Sequence, residues 1–125
     1  MLAKDANNPT ALNNLGYFLT EHDQKLEEAR DMIERAVRAE PQNPSFLDSL
    51  GWVHYKLGKL KEAERYLSDA ARRNPTSATI QEHLGDIFKK LGQQEKAQAS
   101  WRKALSLAAE AADTTRIKAK LGETK

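Results

Sequence analysis

Three glycines recur at nearly constant spacing, Gly16, Gly51 and Gly85, and each follows a leucine: Leu15, Leu50 and Leu84. Twelve or thirteen residues after each glycine stands an alanine (Ala29, Ala63, Ala97). Four further on comes a bulky apolar residue (Ile33, Leu67, Trp101), and three beyond that a second alanine (Ala36, Ala70, Ala104). Pro9, Pro41, Pro44 and Pro75 punctuate this period of 34 to 35 residues. A period of that length, with the same order of small and large residues three times over, restricts the chain to an array of like units. Each unit must bury its apolar face on its neighbours.

Within a unit the pattern reads as two amphipathic helices joined by a short turn. Leu12, Leu15 and Leu19, and again Leu47, Leu50 and Val53, fall at helical spacing. Asn8-Pro9 and Asn43-Pro44 read as helix starts, with Asn as cap and Pro in a first-turn slot that needs no N–H partner. Gly58 and Gly92 follow Leu57 and Leu91 and read as left-handed caps closing the first helix, while Asn74-Pro75 ends the second helix of the middle unit. Gly51 itself falls in mid-helix, where glycine costs about 1 kcal/mol relative to alanine. Its recurrence predicts a close crossing of antiparallel helices at Gly51 and Ala63, where contacts regained across the crossing offset that cost.

The order of slots resembles the tetratricopeptide-repeat (TPR) family over residues 9–109. The resemblance implies an all-α fold: a right-handed α-solenoid of three helix-turn-helix repeats plus a short C-terminal capping helix. The expected division of the 1–125 domain is repeats over about 9–43, 44–77 and 78–111, with 1–8 as the tail of a preceding helix and 112–125 as capping helix and tail. Three departures from the pattern carry expectations. The first unit lacks a loop glycine and has one extra residue in TEHDQKLEEA, which predicts a longer turn. Gln81 stands where the other units have Leu12 and Leu47. Ala109 replaces a boundary proline, so the last second helix is expected to run on through SLAAEAAD. A final short helix is then expected over TTRIKAKLG, with Ile117 and Leu121 on one face and Gly122 as its stop. At the other end, MLAKDANNPTAL aligns with AVRAEPQNPSFL 35 residues downstream, so the chain reads as cut from a longer array.

Twenty basic and eighteen acidic residues, interspersed, give a net charge of +2. That excludes a strongly basic nucleic-acid binder. Arg116, Lys118 and Lys120, and the Arg72–Arg73 pair, read as solvated helix ends. No apolar run reaches membrane-spanning length, and the first residues lack the apolar stretch of a signal peptide, so no direct membrane insertion is expected. With no cysteine there is neither a disulfide framework nor a thiolate site. His22, His54 and His83 lack the spacing of a helical metal pair, and His54 fills a slot that holds Leu19 and Phe88 elsewhere, a packing position. No phosphate-binding glycine loop is present; Glu27, Glu28, Glu62 and Glu64 lie amid Lys and Arg as solvated faces. The expectation is a chain that is not an enzyme, with no cofactor and no metal.

By helical spacing and by similarity to the family, the first helices line a concave groove. The expected lining is Asn13, Tyr17 and Thr20 from the first unit. Asp48, Trp52, Tyr55 and Lys56 follow from the second, and Glu82, Asp86 and Lys89 from the third. Tyr17 and Trp52 share a slot and are expected on adjacent helices about 10 Å apart. Trp52 has two readings, an exposed anchor for a bound peptide or helix or a residue packed into the wall; Trp101 reads as core. Some family members grip the terminal Glu-Glu-Val-Asp of heat-shock proteins with a Lys, Asn and Arg clamp. The matching slots hold Asn13, Tyr17, Ser49, Thr79 and His83, which cannot form it. The wording LNNLGYFLTEHDQKLEEA and LDSLGWVHYKLG is similar to C-terminal repeats of large bacterial TPR proteins, some of them lipid-anchored adaptors of the envelope. Function is therefore expected to be that of a protein–protein interaction scaffold for a peptide or helix of a partner. The alternatives are a structural spacer or self-association module pairing through the stack ends, and a regulatory domain of an enzyme. The compartment, cytoplasm or bacterial envelope, stays open.

Overall fold

The computed structural model describes residues 8–108 and 110–123, and for residues 111, 112 and 123 the backbone alone. Its elements are α1 (Pro9–Glu21), α2 (Leu26–Ala39), α3 (Pro44–Lys56), α4 (Leu60–Arg73), α5 (Ala78–Lys90), α6 (Gln94–Leu107) and α7 (Ala111–Glu123). The described residues are all-helical. They form two compact units, α1 to α4 and α5 to α7.

The helix ends follow from their sequences. The Asn8 side-chain oxygen accepts from the Ala11 N–H at 3.0 Å, and that of Asn43 from Ser45 and Phe46 at 2.9 and 3.2 Å, with Pro9 and Pro44 opening the helices behind them. Ser77 caps α5 by accepting from the Ile80 N–H. At the other ends Gly58 and Gly92 take φ of +84° and +80°, and the next N–H reaches back into the helix, from Lys59 to the His54 carbonyl at 2.8 Å and from Gln93 to Phe88 at 2.9 Å. The first unit closes in the same way with no glycine. Gln24 donates to the Leu19 carbonyl at 2.9 Å, and Asp23 takes the left-handed conformation. The extra residue is Lys25, also left-handed, and it lengthens the turn as expected.

Each of the three repeats is built on a glycine crossing. A methyl placed on Gly16 would stand 2.6 Å from Ile33 Cγ1 and 3.0 Å from the Ala29 carbonyl oxygen; on Gly51 it would stand 2.7 Å from Leu67 Cγ and 3.1 Å from the Ala63 oxygen. At Gly85 it would overlap the Trp101 indole. The small pair does let the backbones close, but what fills the glycine's vacant volume is the bulky residue one turn beyond the alanine. Ile33, Leu67 and Trp101 are accordingly fully buried, as are the alanines of all three pairs. Each such side chain contributes about 1.5–3 kcal/mol on leaving water. In the first compact unit α3 also packs on α2, with Val53 and Leu50 against Ala29 and Ile33.

Two expectations fail at the far end. The second helix of the third repeat does not run on: α6 stops at Leu107, where Ala108 turns extended (φ −69°, ψ 134°). Stopping there lets α7 lie on α6 and seat Ile117 among Ala97, Trp101 and Ala104, with Leu121 beside it, whereas a continuous helix would carry both away from that apolar surface. Gly122 is not the stop either, since α7 spans Ala111–Glu123. Thr115, Lys118, Ala119 and Gly122, which correspond to the crossing face of the earlier first helices, are exposed. The tail expected over residues 1–7 lies outside the described residues; Asn8 is the α1 cap.

Candidate partner-binding face

The first-helix residues opposite the crossing glycines belong to two separate clusters, one in each compact unit. In the first, α3 is tied to the end of α1. The Trp52 indole N–H donates to Glu21 Oε2 at 2.7 Å, Tyr55 stacks on Trp52 with ring centroids 4.6 Å apart, and Lys56 lies 5.6 Å above the indole and 3.3 Å from Asp23 Oδ1. Asn13 and Asp48 are buried on the same helices, and Tyr17, Tyr55 and Lys56 are half-buried. Trp52 is 8% exposed, which overturns its reading as an exposed anchor: it is a wall residue whose polar edge is held by Glu21. Thr20, expected in the lining, is fully buried and donates to the Gly16 carbonyl at 2.7 Å, so it is taken up inside its own helix. Glu21 and Asp23 were missing from the expected set. Glu21 ends α1 in the slot that holds Lys56 and Lys90 in the later repeats, and Asp23 stands in the left-handed slot of Gly58 and Gly92, so neither carries a recurring signal.

In the second unit, α7 lies over two of the expected residues of α5. Arg116 presents Nε and a terminal nitrogen to the two Glu82 oxygens at 2.6 and 2.7 Å, and Lys120 reaches Glu82 at 2.8 Å and both Asp86 oxygens at 2.9 Å. Asp86 also accepts from the Trp101 indole N–H at 3.2 Å, and Asp113 steadies Arg116 at 2.9 Å. Burial alone pushes the Glu82 carboxyl up, but the hydrogen bonds from Arg116 and Lys120 outweigh it and hold the pKa at about 2. Arg116 and Lys120 are therefore not solvated helix ends: they stand 34 residues beyond Glu82 and Asp86, one repeat along, and neutralise them. Lys89 remains exposed.

His54 packs as expected, 5.4 Å from the Tyr66 ring, but neither ring nitrogen has a hydrogen-bond partner, and burial, with Lys59 nearby, lowers its pKa. Among the described residues no group of three His, Asp or Glu gathers as a metal site, and no helix is long and apolar enough to cross a membrane.

Tetratricopeptide-repeat family models match residues 44–77 and 78–110. A TPR repeat-containing protein of Pseudomonas aeruginosa is 41% identical over 59 residues, 47% of this chain but a tenth of that protein's length. The crystal structure of a thermophilic TPR protein of Thermus thermophilus superposes with a TM-score of 0.85 at 26% identity, covering 98% of this chain and 66% of that one. PcrH, solved in complex with the chaperone-binding region of PopD, superposes with a TM-score of 0.80 at 20% identity, covering 92% of this chain and 89% of that one.

Proposed function

This chain belongs to the tetratricopeptide-repeat family, and from that premise we propose that it is a non-catalytic scaffold whose first-helix face takes a peptide or helix of a partner protein. The observation that carries the reading is the α1–α3 face, where Tyr17, Trp52, Tyr55 and Lys56 stand away from the glycine crossings that make the core. Tyr17, Tyr55 and Lys56 keep solvent-accessible surface there, and the ties of Trp52 to Glu21 and of Lys56 to Asp23 hold the face rigid. A preorganised face loses less conformational freedom on binding. Amphipathic aromatic side chains beside both signs of charge suit a segment with apolar anchors and scattered polar contacts. The complex of PcrH with a region of PopD supports the reading at the level of the fold.

Selection of displayed peptides against the purified chain tests it. Selected peptides are expected to perturb α1 and α3 amide resonances, and to bind Tyr17→Ala and Tyr55→Ala at least tenfold more weakly while those variants keep the parent's helical circular dichroism and unfold cooperatively. Perturbations confined to α2 and α4, or full affinity in both variants, would refute the assignment.

A further inference from the structure

The first-helix face is rich in hydrogen-bond acceptors, and the second compact unit shows what serves them. Asn13, Asp48 and Glu82 hold one slot in successive repeats, 35 and 34 residues apart. At Glu82 the slot is served from within: Arg116 and Lys120 of α7 bring a guanidinium and an ammonium to Glu82 and Asp86. The first unit has acceptors of the same kind. Glu21, Asp23 and Asp48 set three carboxylates on or beside its α1–α3 face against one cation, Lys56, in a chain whose net charge is +2. The Trp52 indole N–H is given to Glu21, and the Lys56 ammonium is paired with Asp23. Asn13 is only 8% exposed, yet its Oδ1 has no hydrogen-bond partner. A buried acceptor without a donor is costly, and a ligand that supplies the donor recovers that cost on binding.

We propose, on the footing that α1 and α3 carry the partner-binding face, that this face selects a basic segment of the partner, whose arginine meets Asn13 and Asp48 as Arg116 meets Glu82. A guanidinium offers five N–H donors and no acceptor, in a planar fork that spans two acceptors at once. Asp48 need not be bare to take it. Glu82, in the same slot, holds Arg116 and Lys120 together, and a carboxylate has about four acceptor sites. The Asn13 amide needs only to turn about its soft terminal torsion to present Oδ1 to the same group. Glu21 and Asp23 are exposed at the end of α1 and continue the negative sign along the face. Further Lys or Arg in the segment is therefore attracted, and an acidic segment is repelled.

Two displayed libraries of short random peptides test this, identical except that a fixed central residue is arginine in one and glutamate in the other. The arginine library is expected to yield binders that shift α1 and α3 amide resonances and the Asn13 side-chain amide, with affinity falling as salt rises. Replacing the fixed arginine of the best binder by citrulline, which keeps the shape and loses the charge, should weaken it at least tenfold. Asp48→Asn should weaken the arginine peptide at least tenfold and leave the citrulline peptide within twofold, a contrast that a loosened fold would not give. Three results overturn the selection for a basic segment and leave the scaffold reading standing: equal binding of the arginine and citrulline peptides, equal loss of both in Asp48→Asn, or binders as tight from the glutamate library on α1 and α3. No binder on α1 and α3 from either library overturns both.

Discussion

Arg116 closes a two-pronged grip on Glu82 from exactly one repeat away along the chain, with both donor–acceptor distances under 2.8 Å. The Glu82 side chain is 8% exposed and that of Arg116 48%, so the carboxylate depends on the guanidinium more than the reverse. The grip sets how α7 is held, and it has a pH signature.

With Glu82 at about 2 in the folded chain and about 4.5 unfolded, its contribution to stability is complete above pH 4.5 and lost as pH falls towards 2. Glu82→Gln should therefore lower stability at pH 7, and the gap to the parent should shrink between pH 4.5 and 2. Arg116→Ala should cost about 1–2 kcal/mol at pH 7, since charge-assisted hydrogen bonds are worth more than neutral ones but half the guanidinium is in water. Urea titrations across that pH range measure both. A gap that does not change with pH would contradict the assignment of the charge to Glu82.

His54 titrates in the opposite sense to a histidine that gains a partner. Its pKa is lowered on folding, first by burial and then by Lys59, so the stability it permits is complete above pH 6.5 and falls as acid protonates the unfolded chain preferentially. Glu34 and Glu62 lie close enough to oppose the shift without reversing it, and Arg30 adds to it. His54→Leu takes the residue that fills the equivalent slot at Leu19. The variant should flatten the stability profile between pH 7 and 5 and stabilise by about 1 kcal/mol, because two buried ring nitrogens without partners are removed. Thermal melts at the two pH values decide it.

What could be read in advance was whatever the repeat states three times. The helix pairs, the asparagine caps, the left-handed Gly58 and Gly92 and the crossing at Gly51 all follow from slots that recur. What was missed has no recurring counterpart. The break at Ala108 is set by where Ile117 can reach apolar surface, not by the residue in the proline slot. The hold of Glu21 on Trp52 comes from the last residue of α1, in a slot that holds Lys56 and Lys90 in the later repeats. The Arg116–Glu82 and Lys120–Asp86 pairs did leave a trace, opposite charges 34 residues apart, which becomes visible once the repeat register is carried into the tail.

Two glycines test two different physical demands. At Gly51 the demand is space: a methyl would meet both Leu67 and the Ala63 carbonyl, and only the side chain can give way. Gly51→Leu should destabilise by roughly 3 kcal/mol or more, at the upper end for overpacked sites. At Gly58 there is open space but φ is +84°, so Gly58→Ala should cost only about 1–2 kcal/mol, all of it backbone. Chemical denaturation of the two variants should rank them in that order, and the reverse order would place the close contact elsewhere.

The two tryptophans divide by what holds them. Trp101 fills the volume left by Gly85, is 1% exposed and sits under Ile117, so Trp101→Ala removes the centre of its cluster and should cost about 3–5 kcal/mol. Trp52 is also buried, so truncating it to alanine mixes lost packing with any lost binding. Trp52→Phe is the cleaner change, because it keeps an aromatic ring beside Tyr55 and deletes the N–H that Glu21 accepts. It should cost about 1.5–3 kcal/mol, the range for hydrogen bonds to a charged group. The same loss should appear in Glu21→Gln to a smaller degree, and the double variant should lose less than the sum, since both act on one bond. A double-mutant cycle by urea denaturation measures that coupling; strict additivity would mean that Glu21 and Trp52 do not support each other in solution.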